Sequence, residues 1–176
     1  MDPFIQVSAS YALAVLWLAG AAHKMTSFSA FLAAVGEYRV APHVLALPSA
    51  MLVVGLETVL GIALLTPIGR SMALVGSAGL LMLYAAAIGL NLLRGRRHID
   101  CGCMGPALRQ PLRAWLVWRN LALAAGALAS SLPVESRAFL WIDVISIVAT
   151  VCILATLYAT LNRLIANAHE LTSLRS

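Results

Sequence analysis

Charge is what this sequence has least of. Only 11% of its 176 residues are Asp, Glu, Lys or Arg, while 61% are hydrophobic and the mean hydropathy is +0.91. A soluble domain carries about 25% charged residues. So few charges cannot coat a water-facing surface, which excludes a soluble globular protein and points to an integral membrane protein. Internal repeats and low-complexity tracts are also lacking, and the length fits one domain over residues 1–176. The opening Met1-Asp2-Pro3-Phe4-Ile5-Gln6 has no positively charged n-region, so the first apolar run is expected to remain as a membrane helix rather than to be cleaved as a signal peptide. Cysteine is scarce, with three in the chain. A structural zinc site usually draws on two separated ligand pairs, and only one close pair is present. The net charge of +5 comes from clustered arginines. In a membrane chain such clusters report topology, so nucleic acid is not an expected partner.

What is abundant is long apolar runs. A spanning helix needs about 20 apolar residues, with a range of about 17–25. Five runs qualify or come close: 8–22, 48–65, 71–93, 114–132 and 138–161, with a polar tail after the last. Pro48 suits a first helical turn, and Arg94-Gly95-Arg96-Arg97-His98 stops the third run. Between the first two runs, Phe28, Phe31, Leu32 and Val35 recur at three- and four-residue spacing, the pattern of a short amphipathic helix on the bilayer surface. The fold class is therefore all-α: a bundle of four core transmembrane helices plus a fifth, with one interfacial helix after the first. Five crossings put Lys24, Arg39, Arg94, Arg96, Arg97, Arg109, Arg113, Arg163 and Arg175 on one face and Arg70 and Arg137 on the other. The positive-inside rule assigns the arginine-rich face to the cytoplasm.

That face also gathers the chemistry. Cys101-Gly102-Cys103 lies in the basic Gly/Pro-containing loop between the third and fourth runs. Neighbouring cations favour the reactive thiolate. Gly102, lacking Cβ, lets the backbone fold tightly enough to bring the sulfurs together, and a disulfide in so small a loop should be strained and labile. Two alternatives stand beside this redox reading: unreactive loop thiols, and a metal held by His98, Asp100, Cys101 and Cys103. Beneath the loop the topology collects His23, Lys24, Glu57, Asn91, Arg119 and Asn120. Ionisable groups inside membrane helices usually face a partner or a water-filled cavity. Arg119 is the expected partner of Glu57, since guanidinium and carboxylate pair bidentately. The pair has two readings, a structural tie between helices or a role in proton transfer or ligand binding. Cys152, mid-way along the fifth run, reads as a small buried hydrophobe or as a relay for the loop pair. Trp115, Trp118 and Trp141 read as interfacial anchors, and Asp143 as a cap or a partner of Arg137.

These residues meet a known pattern. His23-Lys24 at the end of the first helix, Phe28 and Phe31, Tyr38-Arg39-Val40-Ala41-Pro42, Glu57 and Gly61, Asp100-Cys101-Gly102-Cys103-Met104-Gly105 and Asn120 together resemble the MauE family of methylamine utilisation proteins. The resemblance covers roughly residues 10–130, and Met104 stands where many relatives have phenylalanine. It implies a DoxX-like helical bundle in the bacterial inner membrane, working with a thioredoxin-like partner (MauD-type) in maturing the disulfide-rich small subunit of a quinoprotein dehydrogenase. Cys101 and Cys103 would then be the exchange pair, with no resident cofactor. A quinone-linked oxidoreductase subunit and a non-catalytic scaffold for that client are the alternatives. The implied client matures in the periplasm, whereas the arginine count turns the loop toward the cytoplasm. An outward-facing loop, a different crossing number, or electron transfer across the membrane would each reconcile the two.

Overall fold

The computed structural model describes residues 2–40, 42–96, 99, 112–133 and 140–173, and the side chains of these except at His43 and 165–173. The elements are six α-helices: α1 Pro3–Thr26, α2 Phe28–Tyr38, α3 Ala46–Leu65, α4 Arg70–Leu93, α5 Ala114–Ser130 and α6 Trp141–Ser173, with a 3₁₀ turn at His43–Leu45 before α3. Four of them, α1, α3, α4 and α6, are long and apolar enough to cross a membrane. At 17 residues α5 rises about 25 Å and lies along α4, its Ala124 and Ala127 in the same buried cluster as Leu74, Ala78 and Leu81 of α4. The chain is a multi-pass, all-α membrane protein.

The helix ends explain where the boundaries fall. α1 begins at Pro3, five residues before the expected start, because the Asp2 carboxylate accepts the Phe4 N–H at 2.8 Å and Pro3 fills the first helical position. α4 closes in a Schellman motif around Gly95 at φ +73°: Arg96 N–H reaches the Asn91 carbonyl and Gly95 N–H the Leu92 carbonyl, both at 3.0 Å. α6 opens at Trp141 rather than 138. The Leu140 N–H donates to the Asp143 carboxylate at 2.9 Å while the Asp143 N–H returns to the Leu140 carbonyl, which makes Asp143 a reciprocal cap. α6 also runs on to Ser173, past the expected end at 161. Its 33 residues rise about 50 Å, so its last turns extend beyond a hydrocarbon core of about 30 Å.

Two clusters hold the bundle. The larger joins α1, α3, α4 and α5 through Leu13, Ala14, Trp17, Leu64, Leu74, Ala78, Leu81 and Ala127. α1 and α3 approach so closely at Gly61 that a Cβ there would sit 2.7 Å from Leu18 Cγ. In lipid, where apolar burial gives helices little reason to associate, such close backbone approach supplies the van der Waals contact. The smaller cluster, Ile88, Ile99, Leu112 and Leu116 with Tyr38, Leu92 and Val117 beside it, lies at the loop end of the bundle. α2 follows the expected amphipathic pattern: Phe31 is buried, Phe28, Leu32 and Val35 are half-buried, and Ser29, Ala30, Ala33 and Glu37 face out.

Candidate functional site

Lys24 lies in the last turn of α1. Side chains lean toward the N-terminus of their helix, so its ammonium reaches back to the level of Gly20, whose ideal Cβ would be 3.6 Å from Nζ. There Nζ donates to both carboxylate oxygens of Glu57, at 2.7 and 2.8 Å. Glu57 stands eleven residues into α3, about 16 Å along its axis. The Tyr84 hydroxyl of α4 donates to Glu57 Oε1 at 2.6 Å. Lys24 Nζ also lies 5.5 Å from the Phe31 ring centre and 5.9 Å from that of Tyr84. Trp17 packs against Tyr84, with centroids 6.1 Å apart, and donates its indole N–H to Ser77 Oγ at 2.9 Å. Lys24 and Glu57 are 6% and 1% exposed. They form a buried ion pair joining α1, α3 and, through Tyr84, α4, with Phe31 of α2 beside it.

This arrangement corrects the expected pairing of Glu57 with Arg119. Arg119 faces the other side of the bundle, where its Nη1 donates to Asn162 Oδ1 of α6 at 3.0 Å and its guanidinium lies 5.6 Å from the Tyr158 ring centre. Lys24 reaches Glu57 first because the close approach of α1 and α3 puts them side by side. Among the described residues, Lys24–Glu57 is the one ion pair.

The other sequence-selected residues are dispersed around the loop end. Asn91 is fully buried; its Nδ2 donates to the Ala87 carbonyl at 3.0 Å and its Oδ1 has no partner. Asn120 is buried and donates back to the Leu116 carbonyl at 2.9 Å. His23, one residue from Lys24, points outward instead of into the pair. Cys152 is exposed on α6, which corrects the expectation of a buried small hydrophobe. It lies ten residues, about 15 Å, along the helix from Asn162. Asp100, Cys101 and Cys103, with His98, fall outside the described residues. The ends of their loop do not. Ile99 and Leu112 are 2% and 1% exposed, and the Leu112 N–H donates to the Ile99 carbonyl at 3.1 Å. The two residues that flank positions 100–111 in the sequence therefore meet at one point of the bundle. Beside it the Arg94 guanidinium donates to the Arg39 carbonyl at 3.2 Å, tying the end of α2 to the end of α4.

Five participants escaped the sequence reading: Ser77, Tyr84, Trp17, Tyr158 and Asn162. A signal existed for the first two. Ser77, Leu81, Tyr84, Ile88 and Asn91 recur at four- and three-residue steps, one stripe of α4, and three of the five carry polar atoms. Among the described residues no group of three or more His, Cys, Asp or Glu is placed to hold a metal ion.

The fold and its buried ion pair define a small multi-pass helical-bundle membrane protein. The family model described as methylamine utilisation protein MauE matches residues 1–133. Methylamine utilization protein MauE of Methylophilus methylotrophus is 34% identical over 175 residues, 97% of this chain and 92% of that protein. Its namesakes from Paracoccus denitrificans and Methylorubrum extorquens are 37% and 39% identical over 130 residues, covering 73% and 72% of this chain and 69% and 70% of theirs. The chain belongs to the MauE family. No solved structure matches it.

Proposed function

We propose that this protein is a bacterial inner-membrane thiol–disulfide exchanger, acting through Cys101 and Cys103 in the maturation of the small subunit of a methylamine dehydrogenase-type quinoprotein. The observation that carries the reading is the Ile99–Leu112 hydrogen bond. It joins, at one end of the helical bundle, the two residues that flank the segment of sequence carrying the thiol pair. Exchange needs no metal. A thiolate attacks a disulfide sulfur, the displaced sulfur leaves as thiolate, and a second attack releases the mixed disulfide, so one dithiol is oxidised as the other disulfide is reduced. A thioredoxin-like protein would return the membrane pair to its starting state.

In this reading Lys24, Glu57 and Tyr84 are positioning residues: they lock α1, α3 and α4 together.

The test is thiol trapping in spheroplasts with a membrane-impermeant maleimide, before and after mild reduction, combined with Cys101→Ser and Cys103→Ser. Reduction-dependent labelling, with loss of mature dehydrogenase in either variant, is expected. Labelling before permeabilisation places the loop outside; labelling only afterwards places it in the cytoplasm and calls for electron transfer across the membrane. Serine variants that mature the dehydrogenase normally would leave the scaffold role. Bound quinone lost on Glu57→Gln would favour the quinone-linked one.

A further inference from the structure

Between α1, α5 and α6 lies an apolar groove of about 700 Å³, whose lining includes Gly20, next to the ion pair. Its floor is small: Ala12 and Ala19 of α1, Ala122 and Gly126 of α5. At its loop end stand His23 and Tyr158; Arg119, on the same α5 stripe as Ala122 and Gly126, lies behind Tyr158 with its guanidinium 5.6 Å from that ring's centre. Arg119 is 8% exposed, yet its described polar contacts are one hydrogen bond to the neutral Asn162 and the face of Tyr158. Its Nε is buried without a partner, and no carboxylate among the described residues neutralises it. A guanidinium carries five donors, and a buried cation in a membrane helix without a counter-ion is costly.

We propose that this groove binds an anionic phospholipid, one acyl chain lying along α1, α5 and α6 and the phosphate meeting Arg119. Three features select that occupant. The charge calls for an anion, and guanidinium suits phosphate geometry. Arg119 shares its turn of α5 with the exposed Trp115 and Trp118, which belong at headgroup level. From Arg119 to Ser130 the helix rises about 16 Å, close to half of a hydrocarbon core of about 30 Å, the depth of one leaflet. Such a lipid adds to the contact between α5 and α6, which otherwise includes the Arg119–Asn162 hydrogen bond and the Arg119–Tyr158 ring contact.

The experiment uses the full chain, delipidated in detergent, with phosphatidylglycerol and phosphatidylcholine of identical acyl chains competing, read by native mass spectrometry. The wild type is expected to prefer phosphatidylglycerol by roughly tenfold or more, the scale of one hydrogen bond to a charged group. Arg119→Gln should abolish the preference and Arg119→Lys should keep most of it. Gly126→Leu should release both lipids, because no atom lies within 4 Å of an ideal Cβ at Gly126 and the new side chain enters the groove. Size-exclusion profiles report whether each variant stays folded and monodisperse. Equal retention of both lipids by the wild type, a preference unchanged by Arg119→Gln, or binding unchanged in a monodisperse Gly126→Leu would overturn the proposal. So would a tightly held isoprenoid quinone, or a dimer dissociated by Gly126→Leu, since either gives the groove another occupant.

Discussion

The two sides of α1 are built on opposite principles. Toward α3 and α4 it is in close contact: Gly61 lets the backbones approach, Trp17 and Leu64 fill the interface, and the Lys24–Glu57–Tyr84 network is buried and fully paired. Toward α5 and α6 it borders an open apolar groove, crossed at the loop end by the Arg119–Asn162 bond. The window of α6 that would cross the membrane is almost entirely exposed, against nearly half buried in α4. A polar group can therefore do two jobs in this bundle. Where its partner is another side chain it fixes helices; where its charge is left unmatched it marks a place for something from outside the chain.

The largest expected effect comes from breaking the paired side. Glu57→Gln or Lys24→Met alone leaves one buried charge without its partner, a loss of about 3–5 kcal/mol when a buried pair is split. The double variant Lys24→Met/Glu57→Met removes both charges and should recover most of the loss, because well-packed apolar replacements of buried pairs are often neutral. Thermal unfolding in detergent, arranged as a double-mutant cycle, reads the coupling. If the double variant folds as well as the wild type yet lacks the maturation activity proposed above, the Lys24–Glu57 pair has a chemical role beyond its structural one.

Much of this was legible in the sequence. The five apolar runs reported α1, α3, α4, α5 and α6, four of them long and apolar enough to cross a membrane, and spacing alone reported α2 as an amphipathic helix. The buried ion pair was half legible. Glu57 was identifiable because a carboxylate mid-way along an apolar run demands an explanation, but its partner was chosen by chemistry without knowing rotation. Arg119 and Lys24 both end up near the same membrane face. Which of them reaches Glu57 depends on how α1 and α5 turn about their axes, and that is set by contacts such as Gly61 on Leu18, which one-dimensional periodicity does not carry. The ends of α1 and α6 were misplaced for a local reason. Asp2-Pro3 and Asp143 are capping signals that a hydropathy window averages away, and the far end of α6 continues as helix through polar residues that such a window excludes.

A smaller effect is expected at the close approach itself. Gly61→Ala places a Cβ 2.7 and 2.8 Å from two carbons of Leu18 and 3.4 Å from Trp17 Cβ. Leu18 must shift or α1 and α3 must separate, and overpacking of this kind costs about 1–3 kcal/mol. A drop in melting temperature is the direct readout. A bundle of unchanged stability would mean that Leu18 has a second rotamer available and that the tight side is less constrained than its geometry implies.

The smallest effect, and the one of opposite sign, belongs to the same substitution on the open side. Gly126 lies inside α5, four residues before its end at Ser130, with nothing within 4 Å of an ideal Cβ. Alanine there removes the conformational penalty of a mid-helix glycine, worth roughly 0.5–1 kcal/mol, without meeting a neighbour. Gly126→Ala should therefore raise the melting temperature slightly while Gly61→Ala lowers it, although both are Gly-to-Ala changes inside apolar membrane helices. Measuring both in one detergent isolates packing from helix propensity. Two shifts of the same sign would show that α1 is not tight on one side and open on the other. A loss at Gly126 alone would mean that α6 closes further onto α5 in the folded protein, filling the groove with side chains.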